Sequence, residues 1–296
     1  MCTLILGLGI LGPGSLLLGA NRDESPDRPS SDPSMLNERP WVVGGRDLVS
    51  GGTWLAVREA RFVTALMNRR PVPGDERDVT TLRSRGLLCL DVACAGEKGP
   101  SFLDRALALV RRDSYAHCTL VGVGVNGEAW ALHAGAGGGA GGGAARGAGG
   151  GGSRGPGSST GGAAARTAPG AGGAAVSCSG EPSTTPIARG WHVITHQDLD
   201  DPTEPRTKWL MDRLTGVMPR SVDEAVELLK KLLRVHGEEG GAPAVCLHRD
   251  IFPTVSSSIL ALDAAGGGRY LHSPGPPCTT EYRDFTPILA QRRKPK

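Results

Sequence analysis

Residues 3–6 and 15–18 are apolar runs joined by Gly-Leu-Gly-Ile-Leu-Gly-Pro-Gly, which predicts two strands in a hairpin-like arrangement. A polar stretch, Ala20-Asn21-Arg22-Asp23-Glu24, follows the second run, and a Pro/Ser/Asp-rich loop extends to about residue 40. Thr53–Val57 and Phe62–Leu66 are the next strand candidates. Residues 82–95 and 101–112 read as helices, because Phe102, Leu103, Ala106, Leu107 and Val110 recur at helical spacing. Thr119–Val123, Ala129–Leu132 and Trp191–Thr195 return to strand-like patterns. A short helix is expected near 205–215 and a stronger one from Ser221. There Ser221 and Glu224 form a capping-box pair, and Val222, Ala225, Val226, Leu229, Leu232 and Leu233 make an apolar stripe. Strands at Ala244–Leu247, Ser257–Leu262 and Arg269–Leu271 complete the pattern, which is that of one α+β domain.

One segment breaks the pattern. Residues 134–180 hold 20 Gly and 13 Ala in 47 positions, with almost no side chain to bury. Ordering such a segment costs entropy with little return, so it is expected to be a disordered insertion. The chain therefore divides into 1–133 and 181–290, two parts of one domain, around the insertion 134–180, with a basic tail at 291–296. Removing the insertion also removes Arg146, Arg154 and Arg166 from the 33 basic residues, leaving 30 against 30 acids. A neutral body argues against nucleic acid as a partner. No apolar run reaches the length of a membrane span, and the glycines and Pro13 of the first segment argue against a signal peptide.

The chemistry concentrates at the start of the chain. Gly7-x-Gly9-x-x-Gly12 matches a dinucleotide fingerprint, but Pro13-Gly14 follows where a helix would have to open, so the match is discounted. If Met1 is removed, Cys2 carries a thiol and a free α-amine on one residue, a nucleophile with its own base. Its strand begins where the neighbouring strand ends in Asn21-Arg22-Asp23-Glu24, and an antiparallel hairpin would place these side by side. The acid could then hold the ammonium and Arg22 could favour the thiolate. None of the seven cysteines is spaced as a metal pair, and His192 and His196 lie on a strand with no H-E-x-x-H, so no metal site is expected. Free thiols in a reducing cytoplasm are the expectation.

Met1-Cys2, Ala20-Asn21-Arg22-Asp23-Glu24, Arg28-Pro29, Gly51-Gly52-Thr53-Trp54-Leu55 and Ala65-Leu66-Met67-Asn68 together resemble the NRDE family, also called the transport and Golgi organisation protein 2 family. Gly190-Trp191-His192-Val193-Ile194-Thr195 with Asp201-Pro202, and Gly275-Pro276-Pro277-Cys278-Thr279-Thr280, look like its downstream blocks. The resemblance implies an N-terminal-nucleophile hydrolase-like αββα sandwich, two antiparallel sheets between helix layers. It extends to cysteine amidases related to penicillin V acylase and bile salt hydrolase. By that likeness Cys2 matches the nucleophile, Asn21 and Asp23 match the Asn and Asp of the second-strand element, and Asn68 looks like the first oxyanion asparagine. Arg22 does not occupy the amidases' arginine position, which here is Ala20. His196 follows Thr195 where relatives carry an asparagine, making the second oxyanion donor a histidine. Val255 stands where many relatives have an arginine.

Two functions follow from the resemblance. One is hydrolysis of a small amide or acyl substrate, with no cofactor, by Cys2, its amine, and an oxyanion site of Asn68 and His196, with Arg22 and Asp23 orienting the terminus. The other is non-hydrolytic handling of haem or lipid as cargo in the same pocket. The sequence leaves the oligomeric state open.

Overall fold

The structure is a computed structural model that describes residues 2–70, 79–96, 100–135, 181–237 and 242–290. Among the described residues, thirteen strands form two antiparallel sheets. The first contains β1 (Thr3–Leu8), β2 (Leu16–Asp23), β10 (Gly190–Ile194), β11 (Thr254–Leu262), β12 (Gly268–Ser273) and β13 (Arg283–Asp284), in the order β10-β1-β2-β11-β12-β13. The second runs in sequence order through β3 (Ser34–Asn37), β4 (Val42–Gly44), β5 (Leu55–Arg58), β6 (Phe62–Asn68), β7 (Cys118–Gly124), β8 (Ala129–Ala134) and β9 (Ser183–Pro186).

Alternation along the strands builds three apolar layers. Leu4, Leu6, Leu16 and Leu18 point between the sheets, where they meet Val63, Ala65, Met67, Val121 and Val123 of the second sheet. Ile5 and Leu17 point the other way, onto Leu210 and Leu214 of α3 (Pro205–Leu214) and Ala225, Val226, Leu229 and Leu233 of α4 (Val222–Leu233). On the far side Phe62, Leu66, Leu120 and Leu132 pack on α1 (Arg85–Cys94) and α2 (Phe102–Arg112) through Leu88, Val92, Ala106 and Val110. The result is helix, sheet, sheet, helix. Burial on both faces explains why residues 3–6 and 15–18 read as unbroken apolar runs rather than alternating ones.

The two sheets share their strands unequally between the two ends of the chain. β1 pairs with β10 and β2 with β11, so residues 181–290 complete the first sheet around the N-terminal hairpin. The second sheet is finished by β9, which pairs with β8 from His133↔Ser183 to Trp130↔Pro186. The expected disordered insertion thus joins two neighbouring strands of a hairpin; nearly all of it lies outside the described residues, as does the basic tail. A fifth helix, α5 (Thr286–Leu289), closes the first sheet beside β12.

Several expectations shift in detail. Residues 244–247 form no strand: they run as a loop in which Val245 and Cys246 both donate to the Val235 carbonyl. The apolar spacing there reflects burial of Val245, Cys246 and Leu247 under α4, not sheet pairing. Strands β3 and β4 fall within or just after the Pro/Ser-rich loop, too short and too polar on one side to announce themselves. The cap of α4 forms as expected, Ser221 accepting from the Glu224 N–H, while the Glu224 carboxylate reaches back one residue further, to the Arg220 N–H.

Candidate active site

Cys2 stands at the head of β1, one residue before the ladder begins, with β2 on one side and β10 on the other. Thr3 pairs with Asn21, so the last turn of the hairpin sets Cys2 against Arg22 and Asp23. The Asp23 N–H donates to the Cys2 sulfur at 3.4 Å, and the thiol lies 3.8 Å from the Asp23 carbonyl. Burial pushes the Cys2 thiol up from its ordinary value, and the Asp23 charge adds to that. Arg22 acts in the opposite direction but more weakly, so the expected thiolate-favouring effect of Arg22 is outweighed by desolvation. Cys2 therefore rests as a thiol near pH 7.

Strand parity separates the polar residues of β2. Arg22 faces the gap between the sheets, its guanidinium 4.4 Å from the centre of the Trp54 ring and 3.9 Å from Glu24. Asn21 and Asp23 face the helices instead. The Asn21 amide donates to the carbonyls of Leu233 and Val245, both at 2.9 Å, which ties the end of α4 and the following loop to the sheet. Asp23 accepts the Thr254 hydroxyl at 2.6 Å and has the Arg206 guanidinium at 3.9 Å; Arg206 also donates to the Thr3 hydroxyl at 2.7 Å. Burial lifts the Asp23 carboxyl to about 6, against the pull of these partners.

Cys2, Arg22 and Asn68 meet in a cavity of about 490 Å³ whose wall also includes Thr53, Trp54, Arg69, Arg83, Arg85 and His117. The Gly51-Gly52-Thr53-Trp54 segment explains part of this shape. Gly51 has φ of +73°, and a Cβ on Gly52 would run into the backbone of Gly86, whose carbonyl accepts from the Thr53 N–H at 3.0 Å. The start of α1, with Ser84 and Arg85, is thereby pressed against the cavity rim.

His196 is not among the residues lining this cavity. It is 7% exposed, its Nδ1 has no hydrogen-bond partner, and burial followed by the nearby Arg70 cation lowers its pKa, so the ring is neutral near pH 7. Arg69 nevertheless links its segment to Asn68: the guanidinium lies 2.7 Å from Asp198 and donates to the Gln197 carbonyl at 3.2 Å. His196 lies past the end of β10 rather than on the strand as expected; His192, on β10 itself, pairs with Asp200 at 2.6 Å. Val255 occupies a β-bulge between Thr254 and Ser256, outside the cavity lining. Of the cavity-wall arginines, sequence reasoning singled out Arg22 and quoted Arg28 but did not find Arg69, Arg83 or Arg85. Arg83 and Arg85 sit beyond residues with no polar motif, and only the packing of α1 onto Gly52 brings them to the rim.

Residues 1–134 match the model of the family Transport and Golgi organisation 2. Over these residues, a little under half of the chain, the sequence is similar to that family. The match spans β1 to β8, and with them Cys2, Asn21, Arg22, Asp23 and Asn68; His196 lies beyond it. No curated protein matches the sequence at a significant level. Among solved structures, an N-acylethanolamine-hydrolyzing acid amidase ortholog of Caenorhabditis elegans superposes with a TM-score of 0.51 at 12% identity, covering 88% of this chain and 92% of that one. Penicillin V acylase from Agrobacterium tumefaciens gives 0.50 at 11% identity, over 98% and 88%. The likeness establishes the fold: the chain has the N-terminal-nucleophile hydrolase-like αββα sandwich. Among the described residues no helix is long and apolar enough to cross a membrane.

Proposed function

We propose that this chain is an N-terminal cysteine hydrolase acting on a small amide or acyl substrate, activated by removal of Met1. The observation that carries the reading is the position of Cys2: it heads an inner strand, opens on the cavity, and takes the Asp23 N–H on its sulfur. A thiol held protonated needs a base at the moment of attack. The freed α-amine of Cys2, with a reference pKa of about 7.7–8.0, would accept that proton as sulfur bonds to the substrate carbonyl carbon. The same proton then passes to the departing amine as the C–N bond breaks, and water hydrolyses the thioester to release the acid. Asn68 lines the same cavity, and on this reading its amide would donate to the oxyanion. Asp23, ionised above about pH 6, would hold the ammonium form of the terminus.

The cavity lining suggests an anionic substrate. Among the described lining residues Arg28 is matched by Asp47 at 2.8 Å, Arg83 by Asp91 and Asp113 at 2.6 Å, and Arg69 by Asp198. Arg85 has only the His117 carbonyl, at 3.1 Å, and Arg22 has the Ser30 hydroxyl at 3.4 Å and a distant Glu24, beside Trp54. Two cations at the start of α1 and the end of β2 suit an amide substrate whose amine portion bears a carboxylate.

The test compares short N-acyl amino acids with their uncharged amides, using protein whose N-terminus has been established as Cys2 by mass spectrometry. Cys2-dependent hydrolysis, faster on the carboxylates, supports the reading. No turnover of any of them by Cys2-terminated protein, together with saturable binding of haem or lipid, would replace it with the carrier function.

A further inference from the structure

Behind the N-terminal corner and outside the cavity lining, four side chains converge at the C-terminal end of α4. His236 follows the helix, Cys246 and His248 lie on the 242–253 loop, and Cys278 comes from the loop after β12. One ligand atom from each lies within 4.8 Å of all the others. The individual distances are 3.5 Å between the two sulfurs, 3.2 Å between the two Nε2 atoms, and 3.1 and 3.8 Å from His248 Nε2 to Cys278 and Cys246.

We propose that His236, Cys246, His248 and Cys278 form a structural zinc site. A tetrahedral zinc with bonds of about 2.3 Å to sulfur and about 2.0–2.1 Å to nitrogen sets edges near 3.8 Å for S–S, 3.4 Å for N–N and 3.6 Å for S–N. The observed edges scatter around these values. A disulfide requires sulfurs about 2.05 Å apart, far closer than Cys246 and Cys278 stand. Two thiolates and two imidazoles are also the donor set that zinc selects, and four protein ligands close the shell, which makes the site structural rather than catalytic.

The sequence conceals the cluster because its spacings, ten, two and thirty residues, match no familiar pair pattern. It takes three separate segments, and the fold supplies them. The Arg234 guanidinium donates to the Pro277 carbonyl at 2.8 Å, holding the Cys278 loop to the end of α4. Val245, next to the ligand Cys246, accepts the Asn21 amide, and the Leu247 N–H donates to the Thr254 hydroxyl that holds Asp23. A metal here would therefore fix the loop that backs the start of the chain.

The test uses the full chain made without a histidine tag, purified reduced from zinc-supplemented cells. Elemental analysis should find about one zinc per chain, and growth on cobalt instead should give tetrahedral ligand-field bands with a thiolate charge-transfer band. His236→Asn, at an exposed position, and Cys278→Ser should each lower the zinc content at least tenfold. Cys94→Ser and Cys2→Ala, thiols outside the cluster, should leave it unchanged, whatever the outcome for hydrolysis. Background metal in the reduced wild type without a cobalt spectrum, a Cys246–Cys278 disulfide in protein alkylated at lysis, or equal zinc loss from Cys94→Ser would overturn the proposal.

Discussion

The Thr254 hydroxyl donates to the Asp23 carboxylate at 2.6 Å, and the same oxygen accepts from the Leu247 N–H at 2.8 Å. Through this one side chain the acid beside Cys2 is joined to the loop carrying Cys246 and His248. The arrangement makes the N-terminal corner depend on residues more than 200 positions away.

Asp23 should leave a signature in stability. Burial raises its carboxyl to about 6, so the protonated form is favoured in the folded state. The contribution is complete below the unfolded value near 4 and is lost as pH rises through about 6. Urea unfolding between pH 4 and 7 should therefore show wild type losing on the order of 2–3 kcal/mol more than Asp23→Asn. Parallel pH profiles for the two proteins would show that Asp23 is not shifted.

Cys2→Ala should abolish amide turnover without loss of fold, and Cys2→Ser should keep a small residue of it, because the hydroxyl is a far weaker nucleophile at the same amine. Circular dichroism establishes the fold and a steady-state assay the activity. Full hydrolysis by Cys2→Ala would remove the nucleophile from this position.

Arg69 spans from the end of β6 to the segment after β10. Arg69→Met breaks its ion pair with Asp198 and its bonds to Gln197 and His133, and should cost about 1–3 kcal/mol. The histidine offers a local readout. His133 is pushed down to about 4 by burial and by the Arg69 cation, so its titration, followed by NMR, should move upward in the variant. An unchanged His133 with unchanged stability would contradict the bridging role.

His196→Asn puts an amide where the family resemblance implies one. Because the imidazole is held below its ordinary pKa, it is already neutral at pH 7, and the substitution should leave activity there intact while removing a titration below pH 6.5. The pH dependence of kcat/KM checks this; a loss of activity at pH 7 would mean that the ring itself is required.

Joining β8 to β9 directly should be tolerated. Their paired residues His133 and Ser183 already sit opposite each other, so replacing 136–180 with a short Gly/Ser turn closes an existing hairpin, and loop entropy changes slowly with length. A fall of several degrees in Tm would show that the removed residues contribute to the body.

The sequence alone determined much of the frame. Apolar runs at 3–6 and 15–18 and stripes along residues 102–110 and 222–233 specify strands and helices locally, because burial periodicity is written residue by residue. The adjacency of Cys2 to Arg22 and Asp23 was also legible, since a hairpin fixes register over a short distance. Tertiary structure decided the rest. Strand parity sent Asn21 to the Leu233 and Val245 carbonyls while Arg22 faced Trp54, and no count of residue types distinguishes those two directions. Packing of α1 on Gly52 brought Arg85 to the cavity, and the crossing of three distant segments assembled His236, Cys246, His248 and Cys278. Local pattern encodes which face of an element is buried; what that face meets depends on long-range closure of the sheets, which is a property of the whole chain.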